Sequence, residues 1–92
     1  MTLKKYVIER DIPGIGQASA EALKDAAATS NAALAKLGGR AQWLESFVVQ
    51  DKTFCIYLAE DEDAIREHAR LSGFPASRIT EVAAAIGPQT AG

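Results

Sequence analysis

The chain alternates between two kinds of hydrophobic spacing. Leu3 to Arg10 sets Tyr6-Val7-Ile8 between charges and stops at Asp11-Ile12-Pro13-Gly14, the pattern of a strand that ends in a turn. From Ser19 to Leu37 the residues become alanine and leucine, and Leu23, Ala27, Ser30, Leu34 and Leu37 recur three or four apart, as one face of a helix does. Ser19 is placed as its N-cap, Glu21 and Asp25 lie early, Lys36 lies in the last turn, and Gly38-Gly39 stops it. In Gln42 to Gln50, Trp43, Phe47 and Val49 share one parity and Leu44 and Val48 the other, so both sides of this strand are expected to be covered. Asp51-Lys52 separates it from Thr53 to Ala59, a run of strand formers, which predicts a hairpin. A second helix is expected over about 61–72, with Glu60 to Asp63 acidic at its start, Arg66 and Arg70 following, and Gly73 and Pro75 ending it. Arg78 to Ile86 reads as a fourth strand, with Ile79, Val82 and Ile86.

Strand, helix, strand, strand, helix, strand is the order of the α+β ferredoxin-like βαββαβ fold. It predicts a four-stranded antiparallel sheet ordered 4-1-3-2 with both helices on one face. One domain over 1–87 and a tail over 88–92 account for the chain. The other sheet face would show Trp43 and Phe47, or Leu44 and Val48, to water, so a homodimer through that face is expected, as in a dimeric α+β barrel.

Composition narrows the function. With 48% apolar and 24% charged residues, the 92-residue chain can bury a core. No apolar run is long enough for a membrane span, and the start lacks a secretory pattern. A single cysteine, Cys55, forms no internal disulfide, which fits a reducing cytoplasm. A formal charge of −2 and a pI near 5.3 disfavour a nucleic-acid partner.

Familiar motifs do not hold up. Gly14 and Gly16 start a GxG, but Ser19 stands where a dinucleotide fingerprint needs its third glycine. Lys52 to Tyr57 lacks the glycine and second basic residue of an RNA-recognition strand, and the first loop lacks the paired cysteines of a soft-metal chaperone. The Pro13-Gly14 pair after the first strand also occurs in amino-acid-binding ACT-type domains, which leaves a small-molecule-binding module as one alternative.

Four side chains carry the candidate chemistry: His68 at the apolar edge of the second helix, Cys55 in a central strand, Glu9 near the end of the other central strand, and Tyr57. Structural roles compete with each, a half-buried histidine and a small buried thiol being common.

Tyr6-Val7-Ile8-Glu9-Arg10-Asp11-Ile12-Pro13-Gly14, Gln42-Trp43, Phe54-Cys55-Ile56-Tyr57, Ile65-Arg66-Glu67-His68-Ala69 and Gly73-Phe74-Pro75-Ala76 together resemble a family of short bacterial proteins. The family is of largely unknown function and includes an actinomycete nickel-binding, ferredoxin-like protein. The resemblance implies a ferredoxin-like dimer and nickel binding, with no defined reaction. Imidazole, thiolate and carboxylate together suit nickel, with zinc or copper as alternatives, better than calcium or magnesium. The expected ligands are His68, Glu9, Cys55 and Tyr57, provided that strand parity turns Cys55 toward the helices. A fold-level alternative is a cofactor-independent dimeric α+β barrel enzyme, an oxygenase or isomerase with His68 as proton carrier.

Overall fold

In a computed structural model, which describes residues 2–92, strand β1 (Lys4–Asp11) runs antiparallel to β3 (Lys52–Ala59) at the centre of the sheet. Helix α1 (Ala20–Ala35) and strand β2 (Ala41–Val48) lie between them in sequence, and helix α2 (Glu62–Ser72) leads from β3 to β4 (Arg78–Glu81). The sheet order is β2-β3-β1-β4, with every pair antiparallel. This is the expected ferredoxin-like arrangement.

The helix ends follow the capping chemistry. The Ala22 amide donates to Ser19 Oγ at 3.1 Å, and the Ala64 amide donates to Asp61 Oδ1 at 2.9 Å. Glu62 and Asp63 occupy the first turn of α2 and Arg70 its last, where each sign suits the helix dipole. Gly73 closes α2 in the left-handed conformation, φ +81°. No helix among the described residues is long and apolar enough to cross a membrane.

Residues directly opposite each other in antiparallel strands share a face. Tyr6 pairs with Tyr57 and Ile8 with Cys55, and all four are buried beneath the helices with Ile65 and Leu37. Val7 pairs with Ile56 and Glu9 with Phe54 on the opposite face.

Two strands depart from expectation. A register irregularity between Trp43 and Glu45 breaks the alternation in β2, so Trp43 lies opposite Tyr57 on the helix side while Phe47 lies opposite Phe54 on the outer side. Val48, opposite Thr53, joins Trp43. The expected pairing of Trp43 with Phe47 and of Leu44 with Val48 is therefore split by one extra residue. Strand β4 stops at Glu81 rather than near Ile86. Tyr6 pairs with Glu81, so the register runs off the start of β1 about two residues later; the last bond there is from the Val82 amide to Lys5 O, 2.8 Å. Within the expected tail, Pro88–Ala91 forms a short 3-10 turn.

The DIPGIG segment braces the hairpin tip. The Ile12 amide donates to Asp51 O, the Gly14 amide to Asp51 Oδ1 and the Gly16 amide to Gln50 O, at 3.0, 2.9 and 2.9 Å. Gly14 needs its positive φ of 77°, and Gly16 lies so close to Val49 and Gln50 that its missing side chain is what permits the contact.

Candidate functional site

Four elements meet at His68. The residue comes from the buried face of α2 and is 1% exposed. From β1, Arg10 Nη2 approaches His68 Nδ1 at 3.4 Å; from α1, Ser30 Oγ lies 3.1 Å from His68 Nε2. From β3, Tyr57 places its hydroxyl 3.2 Å from Ser30 Oγ and its ring 5.2 Å, centroid to centroid, from the imidazole.

Donor chemistry fixes the tautomer. A guanidinium only donates, so Nδ1 accepts from Arg10 and the ring proton resides on Nε2, donating to Ser30 Oγ. Burial pushes the His68 pKa down to about 4, the positive charge of Arg10 adds to the fall, and the Ser30 backbone offsets part of it. At pH 7 the ring is neutral. Burial likewise raises the Tyr57 pKa, against the opposing influence of Ser30 and Arg10, so its phenol keeps its proton.

Arg10 holds this corner together. Its Nη1 donates to Pro75 O at 2.9 Å and to Phe74 O at 3.5 Å, tying the turn after α2 back onto β1, and its guanidinium carbon lies 5.9 Å from the centroid of the Tyr57 ring. Arg10 is 3% exposed, yet among the described residues no carboxylate makes an ion pair with it.

In front of this cluster a cavity of about 460 Å³ opens between α1, the sheet and the Gly73–Pro75 turn. Its wall is largely apolar, with Ile15, Leu23, Trp43 and Phe74 contributing, while Arg10, Ser30 and Tyr57 supply polar groups. His68 lies behind them and does not line the cavity.

Of the four side chains expected as ligands, three share the helix side of the sheet. Tyr57 and His68 are neighbours, and Cys55 is buried on the same face, its Sγ 3.4 Å from Thr53 Oγ1. Glu9 does not join them. Strand alternation puts it on the outer face opposite Phe54, where Lys52 Nζ lies 3.3 Å from its carboxylate and Asp11, Ser77 and Arg78 line a separate polar pocket. Among the described residues, no three His, Cys, Asp or Glu side chains gather as a metal-holding group. With Arg10 capping one imidazole nitrogen and the proton on the other, the donor set of one chain does not make a closed metal shell.

Arg10 and Ser30 were not singled out by sequence reasoning as site residues. The signals were there: Arg10 shares the parity of Tyr6 and Ile8, and Ser30 is the polar member of the apolar stripe of α1.

The model of a family described as nickel responsive protein SCO4226-like matches residues 6–82. The chain belongs to the SCO4226-like family. The match takes in β1 from Tyr6 onward, the other three strands, both helices and each member of the His68 cluster. The crystal structure of SCO4226 from Streptomyces coelicolor A3(2) superposes with a TM-score of 0.74, covering 89% of this chain and 99% of that one at 13% identity. That likeness establishes the SCO4226-like fold and nothing finer. No curated protein sequence matches the chain.

Proposed function

We propose that this protein is a nickel-responsive binding protein of the cytoplasm, acting as a homodimer and taking up a divalent transition metal weakly, with His68 the chief ligand and Cys55 and Tyr57 beside it. The observation that carries this is the family match over residues 6–82, whose description is nickel responsive. A neutral imidazole at pH 7 favours it, since protonation does not compete with the metal there. Nickel also suits a mixed nitrogen and sulfur donor set. Glu9 is left out of the ligand set because it sits on the other face of the sheet. The dimer is supported by the apolar outer face, where Phe47 is about half exposed.

Affinity is expected to be low. Reaching Nε2 requires the Ser30 hydroxyl to turn away, and Arg10 keeps a positive charge beside the other ring nitrogen. A Kd near millimolar, about 4 kcal/mol, is the scale anticipated. The test is calorimetric titration of the desalted protein with nickel and with zinc at pH 7. Saturable nickel binding, lost in His68→Gln and reduced in Cys55→Ser, supports the assignment. Absence of heat up to several millimolar nickel, or equal binding by His68→Gln, would remove the metal from it.

A further inference from the structure

The SCO4226-like match says nothing of the cavity between α1 and the sheet, and nickel does not explain the charge at its wall. Arg10 brings a guanidinium charge to that wall. Its acceptors are two backbone carbonyls and one imidazole nitrogen, three for a group with five N–H donors, and no carboxylate balances it among the described residues. An unpaired buried ion is costly, and an anion delivered by a ligand offsets that cost. The remainder of the cavity wall is largely hydrocarbon, with Trp43 and Phe74 among the side chains that face the space.

We propose that this cavity binds a small monocarboxylic acid with an apolar body, the carboxylate meeting Arg10 and the body lying against Trp43, Leu23 and Phe74. The volume of about 460 Å³ falls among those of small-molecule sites, roughly 300 to 1,000 Å³. A single negative charge matches because, among the described residues, Arg10 is the only charged side chain of the wall. A phosphate dianion would leave one charge buried without a partner. Ser30 and Tyr57 use one hydroxyl proton in their mutual bond, which leaves the other free to donate to a carboxylate beside the guanidinium. Cys55 and Tyr57 line this cavity as well as standing in the proposed metal set, so the acid is titrated with metal removed and its outcome is read apart from that of nickel binding.

Trp43, the sole tryptophan, lines the cavity and reports on it by fluorescence. The probes are phenylacetate and phenylacetamide, nearly equal in shape and different in charge, titrated into the whole protein in the presence of EDTA. Phenylacetate should change the Trp43 emission saturably and bind about 10 to 100 times more tightly than the amide, the range expected for hydrogen bonds to a charged group. Arg10→Gln should bring the acid down to the amide's affinity. Ala27→Leu narrows the cavity from α1 without touching the charge, and should weaken both probes. Arg10 also ties down the turn after α2, so where its variant fails to fold, the acid–amide ratio in the parent and the Ala27→Leu response decide. Equal affinity for acid and amide, acid binding unchanged in Ala27→Leu, no response to phenylacetate at tens of millimolar, or a response that needs added nickel would each overturn the proposal.

Discussion

Arg10 Nη2 lies 3.4 Å from His68 Nδ1, a buried cation donating to a buried imidazole. A histidine whose Nδ1–H is held by a carboxylate becomes more basic; here the polarity is reversed, and the ring is made a poorer base. The same contact selects the tautomer and aims the Nε2 proton at Ser30.

Stability should therefore fall in mild acid. An unfolded histidine takes its proton near pH 6.5, while the folded His68 does so only at about 4. Between these values unfolding takes up a proton, so the contribution is intact above pH 6.5 and is lost progressively as pH falls to 4, by about 3 kcal/mol in all. Urea midpoints measured from pH 7.5 down to 4 should drop further in the parent than in His68→Gln. Parallel curves for the two proteins would exclude this.

Arg10→Met should raise the pKa of His68. The positive charge is the second cause of the depression and burial the first, so the value should move up yet stay below 6.5. The sole histidine gives a single imidazole titration by proton NMR. An unchanged or lower value in the variant would contradict the assigned role of the guanidinium.

Gly16→Ala should destabilise the fold by about 1–3 kcal/mol. A Cβ at this position would meet Val49 O at 2.6 Å and Gln50 Cα at 2.8 Å, both backbone, so the loop and the hairpin tip must separate. Gly39→Ala, with nothing near its Cβ, is the control for steric cost, though its φ of 88° adds strain of its own. A urea midpoint for Gly16→Ala equal to that of the parent would refute the close contact.

Phe47→Glu should keep the chain monomeric. Phe47 lies opposite Phe54 on the outer face, beside a row that includes Val7 and Ile56. Sedimentation of the parent at micromolar concentration should give twice the 9.8 kDa chain mass, and the variant a single chain mass. A monomeric parent would remove the dimer.

Much of this architecture was legible in the chain because its signals are local. Ser19 and Gly73 mark helix ends by hydrogen bonds within a few residues, and the strand-forming run Phe54 to Leu58 needs no distant partner to be recognised. What escaped was side. Tyr6-Val7-Ile8 is apolar at three successive positions, so alternation alone does not say whether Glu9 or Arg10 faces the helices. The irregularity after Trp43 reverses parity within β2, and no glycine or proline marks it. The His68 cluster unites side chains from four elements, so the parity of Arg10 and the polar place of Ser30 in the α1 stripe gain their meaning only once those elements are packed.

The bonds that join Ser30 to Tyr57, Ser30 to His68 and Arg10 to His68 span 27, 38 and 58 residues of chain. Closing loops of that length is slow, and all three bonds require α1, α2, β1 and β3 to be docked already. On these grounds the network is expected to act as a latch that shuts late. Ser30→Ala should leave the refolding rate nearly unaltered and speed unfolding, so that what the latch controls is the lifetime of the native chain.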